Sequence, residues 1–311
     1  MLTVFPDYYK DFECIKGECQ HNCCIGWEID IDNDTLDFYD TVGGETGERL
    51  CKNISRDETP HFILSTDERC PFLNKDNLCD IIITLGKDHL CGICADHPRF
   101  RNELPDRIEV GLGLCCEAAA KLILCKETPV MLVSSVEECV TEDEIIILRD
   151  KVVAVLQKRS LTLEERFELA LNLCGITMPE TDFSKWADIF LGLERLDSEW
   201  TALLNLLKRK YKTVKNHAIQ ESTCEFEQLA VYFIYRHFAN APDLQEAALR
   251  AAFAVIGCRT VYMIYACLCA EKDTASIDDL IEIARLFSSE IEYSDENLYI
   301  VFDELWDEIN Y

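Results

Sequence analysis

Two hydrophobic patterns divide this chain. From about residue 126 onward, apolar positions recur at helical spacing in successive segments with short intervals between them. Thr141-Glu142-Asp143-Glu144 has the form of a capping box and predicts a helix to about Arg159. Thr162-Leu163-Glu164-Glu165 does the same for a helix ending near Cys174-Gly175. Phe183–Tyr211 predicts one long or two broken helices, and Glu225–Ala241, Leu244–Ala270, Ser276–Ser289 and Glu296–Ile309 complete the set.

Before residue 126 the elements are short. Trp27, Ile29 and Ile31 alternate with Glu28 and Asp30, which predicts a strand with one buried face. Asp32-Asn33-Asp34 then reads as a turn or an N-cap for a helix over Thr35–Val42. Gly43-Gly44-Glu45-Thr46-Gly47 reads as a turn; no convincing parallel strand precedes it, as a phosphate-binding loop requires. Phe62-Ile63-Leu64 and Ile108–Leu114 are strand candidates, Asn74–Asn77 is a hairpin turn, and Glu117–Cys125 is helical. The aromatic lead-in Phe5, Tyr8, Tyr9 and Phe12 is expected to pack under the first cysteine run. The fold class expected is α+β: a small Cys-rich, metal-clamped N-terminal module with short strands over residues 1–125, followed by a mostly α-helical domain over 126–311.

Cysteine usage sharpens this picture. Cys14, Cys19, Cys23 and Cys24 fall within eleven residues, followed by Cys70 and Cys79 on either side of a tight turn, then Cys91 and Cys94, then Cys115-Cys116. Thiolates bind zinc and iron strongly, and a metal supplies folding energy that a short segment cannot draw from a core. Spacing alone does not separate zinc from an iron–sulfur cluster, and His21, His61, His89 and His97 are further zinc donors in the same region. The ligand candidates are Cys14, Cys19, Cys23, Cys24, Cys70, Cys79, Cys94 and Cys115; Cys91, Cys116 and Cys125 rank below them. A secreted disulfide scaffold is the other use for 18 cysteines, but the start of the sequence has no basic segment followed by an apolar one. Cys174, Cys258, Cys267 and Cys269 sit in apolar helical patterns, as in a reducing cytoplasm.

The formal net charge of −28 argues against nucleic acid and suits a partner that presents Lys or Arg. Ala251–Ala270 is apolar enough to span a bilayer, but Arg259 lies in its middle, so a buried helix is expected rather than a membrane span.

The residues Cys14…Cys19…Cys23-Cys24…Trp27, Cys70-Pro71-Phe72-Leu73…Leu78-Cys79, Leu90-Cys91…Cys94…Pro98-Arg99 and Cys115…Glu117-Ala118-Ala119 resemble the flagellin lysine-N-methylase family, itself related to a wider group of Cys-rich zinc- or iron-chelating proteins. The resemblance continues more loosely through Tyr232–Phe238 and Ile291–Leu298, with Tyr293 where a histidine is expected and Cys116 where a proline is. It implies a cytoplasmic bacterial enzyme that methylates the ε-amines of flagellin lysines, with S-adenosylmethionine as donor and an iron–sulfur cluster, 4Fe-4S rather than zinc. Candidate site residues in the two loosely matching segments are Tyr232, Tyr235, His237, Glu290 and Glu292. Two other readings of the cysteines stand beside it: a zinc-binding structural or interaction protein without catalysis, and a redox protein working through Cys91 and Cys94. Oligomeric state is open.

Overall fold

The computed structural model describes residues 2–135, 141–178, 180–214, 224–272 and 275–310. The chain divides into two compact units, Glu13–Arg99 and a second formed by Met1–Phe12 with Phe100–Tyr311. The strands are β1 (Leu2–Pro6), β2 (Ile54–Ser55), β3 (His61–Phe62), β4 (Arg99–Glu103), β5 (Arg107–Leu112) and β6 (Leu132–Ser134). The helices are α1 (Asn33–Thr41), α2 (Gly44–Asn53), α3 (Asp80–Thr84), α4 (Gly92–Asp96), α5 (Glu117–Leu124), α6 (Glu144–Leu156) and α7 (Leu163–Leu173), then α8 (Phe183–Gly192), α9 (Ser198–Val214), α10 (Cys224–His237), α11 (Leu244–Glu271), α12 (Ile277–Phe287) and α13 (Asp295–Asn310). A π-helical turn, Ser288–Glu292, follows α12. The class is α+β, and helix predominates.

The Glu13–Arg99 unit has a small core of its own: Ile29, Ile31, Tyr39, Leu50, Ile54, Phe62, Phe72, Leu73 and Ile81, with Cys70 and Cys91 among them. The alternation at 25–31 does not make a continuous strand. It makes isolated bridges, Ile25 with Arg69 and Asp30 with His61, while Ile29 and Ile31 still turn into the core. Asp32 caps α1 by accepting from Thr35 N at 2.9 Å. The glycine run is not a turn but the start of α2. Gly47 is required there, because a Cβ at that position would meet the Val42 carbonyl oxygen at 1.9 Å. The Asn74–Asn77 turn forms as expected: Asn74 N donates to Leu78 O and Leu73 bridges to Cys79.

In the other unit a four-stranded sheet runs in the order β4-β5-β1-β6, with β1 parallel to β5 and antiparallel to β6. The aromatic lead-in, expected under the first cysteine run, enters this sheet and the helical core: Phe5 belongs to β1, and Tyr8 is buried among the helix residues. α5 buries Ala119, Ala120, Ile123 and Leu124 in the same core. The boundary drawn at residue 125 thus does not coincide with the boundary between compact units, because residues 1–12 and 100–125 supply a sheet and a helix to the helical unit.

Most predicted helices form. The Thr162–Glu165 capping box is real, and Ser276 with Asp279 makes a second. At α6 the cap is Asp143, which accepts from Ile145 N and Ile146 N, rather than Thr141. The Phe183–Tyr211 stretch breaks into α8 and α9. α11 is long and apolar enough to cross a membrane, yet it is a core helix: 67% of that stretch is buried and Arg259 pairs with Glu164.

Candidate functional site

Two constellations carry chemistry, one in each unit. The first lies in the helical unit, where α10 places Tyr232, Arg236 and His237 within five residues of one another, so that one helix face carries all three. The widened turn after α12 directs both of its carboxylates inward. π-helical turns of this kind are frequent at functional sites. Glu292 accepts from His237 Nε2 at 2.6 Å, from the Tyr232 hydroxyl at 3.1 Å and from Arg236 Nε at 3.3 Å. The Tyr232 oxygen in turn accepts from Arg236 Nη1 at 2.9 Å and from Leu114 N at 3.2 Å. Arg236 lies between two rings, 5.2 Å from the Phe100 centroid and 4.4 Å from that of Tyr293. Tyr293 also hydrogen-bonds to Cys115, which closes the cluster.

The electrostatics follow from burial and one fixed cation. Burial alone would raise the Glu292 carboxyl, but the Arg236 charge and the His237 hydrogen bond overcome it and hold the group below the usual carboxylate range. Burial pushes the His237 ring down, so it is neutral beside Glu292. Burial raises Tyr293, and it raises Cys115 to about 12, so both keep their protons at neutral pH. The cluster therefore holds one ion pair, a neutral imidazole and three neutral protic groups, Tyr232, Tyr293 and Cys115. It fixes the Tyr293 hydroxyl and the Cys115 thiol in place; it is not a base waiting for a proton. Gly113 is essential to that arrangement, because a Cβ there would lie 2.0 Å from the Tyr293 hydroxyl.

Of the residues expected at the site, Tyr232, His237 and Glu292 meet here. Glu290 does not: it accepts from Leu196 N at 2.9 Å and Asp197 N at 2.6 Å and so holds the segment just before α9, whose own cap is Asp197, accepting from Glu199 N. Tyr235 does not either, since its hydroxyl lies 3.2 Å from the carbonyls of both Val4 and Val110 and ties α10 to the sheet. Sequence reasoning missed Arg236 and the Tyr293–Cys115 contact. The spacing of Arg236 four residues after Tyr232 was the available signal.

The second constellation is the thiols of the Glu13–Arg99 unit. Cys70 N donates to Cys24 O at 2.8 Å, which joins the first cysteine run to the hairpin, and Gly92 N donates to Asp32 Oδ2 at 2.8 Å, which holds the 91–94 turn against α1. Cys24 hydrogen-bonds to Cys23 and lowers that thiol to about 7, while Cys24 itself is pushed up by the same bond and by burial. Cys94 likewise lowers Cys91 and is itself raised. Burial raises Cys70 to about 11, and Cys70 feels the charges of Cys79 and Cys91; Cys94 feels those of Cys24 and Cys70. Six thiols, Cys23, Cys24, Cys70, Cys79, Cys91 and Cys94, thus act on one another. Among the described residues no three His, Cys, Asp or Glu side chains converge as a ready-made metal site. Cys14 is exposed and its Sγ accepts from Lys16 N, Cys19 is half-buried, and Cys115 belongs to the other unit. His89 stacks on Phe38 at 4.1 Å, His61 Nδ1 bonds to Thr59 O at 2.9 Å, and burial lowers His97 to about 4. The soft, mutually polarised donor set fits a thiophilic metal.

A cavity of about 650 Å³ is lined by Asp143, Glu144, Ile145, Pro242, Asp243, Leu244 and Gln245. The helix starts there are capped by Asp143, which accepts from Ile145 N and Ile146 N, and by Asp243, which accepts from Gln245 N and Glu246 N, and Glu144 adds a third carboxylate to the lining. The lining therefore does not fit the carboxylate of an amino-acid-bearing methyl donor.

Residues 180–311 match the family described as FliB lysine N-methylase C-terminal domain. The chain is 26% identical over 126 residues to the flagellar biosynthetic protein FliU of Salmonella muenchen, covering 38% of this chain and 75% of that protein. It is 26% identical over 126 residues to the lysine-N-methylase of Salmonella typhimurium and 27% identical over 127 residues to that of Salmonella choleraesuis. The match spans 38% of this chain and 31% of each of those two proteins. No solved structure matches the chain. Tyr232, Arg236, His237, Glu292 and Tyr293 all fall inside the segment that is similar to the FliB lysine N-methylase C-terminal domain.

Proposed function

We propose that this protein is a cytoplasmic protein-lysine N-methyltransferase that acts on flagellin, with S-adenosylmethionine as methyl donor and an iron–sulfur cluster on the thiols of its Cys-rich unit. One observation carries the reading: the segment matched to the lysine-N-methylases is the one that buries the Arg236–Glu292–His237 network. A largely desolvated ion pair fixed by three further hydrogen bonds is expensive to keep for stability alone, and such networks are favoured where a side chain must be held in one position.

A lysine amine attacks a sulfonium methyl group only as the free base, and its ordinary pKa is about 10.4. Glu292 is committed to Arg236 and His237, and Tyr293 and Cys115 keep their protons, so none of Glu292, Tyr293 and Cys115 takes the amine's proton at neutral pH. In this reading Arg236 and Glu292 are positioning residues, and Tyr293 with Cys115 present neutral groups at the end of the network. Four of the thiols among Cys23, Cys24, Cys70, Cys79, Cys91 and Cys94 would hold the cluster. It would supply a structural clamp or a one-electron reductant there.

The test is methyl transfer to purified flagellin by the full chain prepared without oxygen, read as methylated lysines in the intact mass and peptide map. Methylated lysine that depends on the donor supports the reading. Metal-replete protein that leaves flagellin unmodified overturns it.

A further inference from the structure

α13 begins two residues after Tyr293 and carries six carboxylates, Asp295, Glu296, Asp303, Glu304, Asp307 and Glu308, with no basic residue. Its inner face is ordinary: Val301 and Leu305 are fully buried, and Phe302 packs on Phe253 at 5.3 Å. One flank is also accounted for, since Lys185 pairs with Glu308 at 3.0 Å and Glu304 at 3.6 Å. The outer face carries no such ion pair among the described residues. At 100° per residue, Asp295, Glu296, Tyr299, Ile300, Asp303, Trp306 and Asp307 form a single stripe, about 18 Å long. Along it Tyr299 is 72% exposed, and Ile300 and Trp306 are each 36% exposed. Among the described residues no cation pairs with Asp295, Glu296, Asp303 or Asp307.

Helix stability does not account for this stripe. Carboxylates favour the first turn of a helix, which covers Asp295 and Glu296, but Asp307 stands near the negative end of the macrodipole. Asp303 and Asp307 are also four residues apart, where like charges repel. An exposed tyrosine and tryptophan interleaved with unpaired carboxylates match the side chain of lysine, whose ammonium is attracted both by carboxylates and by ring faces.

We propose that the outer stripe of α13 docks a lysine-bearing polypeptide segment of the protein substrate, with Tyr299 and Trp306 as aromatic anchors and Asp295, Glu296, Asp303 and Asp307 as their charged surround. The inference rests on the reading of the chain as an enzyme that acts on protein lysines, and it names the surface that gathers that substrate. α13 follows directly on the turn that carries Glu292, so the docking stripe and the buried network lie on consecutive segments.

The experiment uses the full chain and two probes, a fluorescent lysine-rich peptide and the same peptide with its lysines acetylated, read by anisotropy. The wild type is expected to bind the first in a salt-sensitive way and to ignore the second. Two surface variants, Asp295→Asn/Glu296→Gln/Asp303→Asn/Asp307→Asn and Tyr299→Ser/Trp306→Ser, are each expected to weaken binding at least about tenfold with unchanged circular dichroism and melting. Equal binding of both peptides, unchanged binding in either variant, or a sedimenting dimer that Tyr299→Ser/Trp306→Ser dissolves overturns the proposal. Methyl transfer to flagellin is measured in parallel and separates the two readings. Peptide binding without any transfer sinks the enzymatic reading alone. Transfer with the same KM in the stripe variants sinks the docking inference alone.

Discussion

Arg236 Nε lies 3.3 Å from Glu292 Oε1, with the two side chains 11% and 0% exposed. Removing one member of such a pair strands the other's charge in a place water does not reach. Glu292→Ala is therefore expected to cost about 3–5 kcal/mol in urea unfolding. The double change Arg236→Met/Glu292→Met should cost less than the two single changes added together, because neither charge is then left alone. Additive costs would mean that the pair is not coupled.

The same network fixes how stability depends on pH. His237 is held below its ordinary 6.5 by burial, so the folded protein binds fewer protons at this ring than the unfolded chain does. That contribution is complete above 6.5 and is lost as pH falls through the depressed folded value. Glu292 is held below its ordinary 4.5, and its contribution is complete above 4.5 and lost further into acid. Both steps destabilise towards acid, in that order. His237→Gln keeps a donor for Glu292 Oε1 but cannot titrate, so its melting temperature should fall less than that of the wild type between pH 7 and pH 5. Parallel curves for the two proteins would contradict the neutral assignment of His237.

Gly113 and Tyr293 offer a steric test. A Cβ at 113 would sit 2.0 Å from the Tyr293 hydroxyl and 3.0 Å from Arg236 Nη1, so Gly113→Ala displaces the tyrosine. Overpacking of this kind costs about 1–3 kcal/mol. In Gly113→Ala/Tyr293→Phe the nearest clashing atom is gone, and part of that loss should return. A double variant as unstable as the sum of the two singles would show that the glycine is needed for some other reason.

How far the sequence revealed this depended on whether the signal was local. Helix starts such as Thr162–Glu165 and the turn at Asn74–Asn77 were legible because side-chain caps and turn chemistry act within a few residues. The strand expected at 25–31 was misread because its alternation recorded burial of Ile29 and Ile31, while its pairing partners reach it only as single bridges. Domain membership was not legible, because β1 joins β5 across about a hundred residues and no local pattern encodes that pairing. Tyr232, His237 and Glu292, picked from loosely matching segments, do come together in one hydrogen-bonded cluster. Arg236 was overlooked because an arginine on a helix is ordinarily solvated, and only the fold shows it enclosed between Phe100 and Tyr293. Cys91, placed below the other thiols, is fully buried and shares a hydrogen bond with Cys94, which no local pattern announces.

The thiols of the Cys-rich unit set the last expectation. The core there is small, eleven buried residues of which two are cysteines, so a bound metal should contribute a large part of its stability. Protein purified without oxygen is expected to carry about four irons and four acid-labile sulfides per chain if a 4Fe-4S cluster is held. Cys70→Ser and Cys94→Ser should each lose most of that metal and lower the melting temperature of the unit, and a chelator should do the same to the wild type. Cys258→Ser is the control: its Sγ donates to Phe226 O within the helical core, so the change should alter packing and leave metal content intact. Stoichiometric zinc without sulfide would reassign the thiols to a structural zinc site. Full iron and sulfide in Cys70→Ser would falsify its placement among the ligands and shift the ligand set towards Cys14 and Cys19.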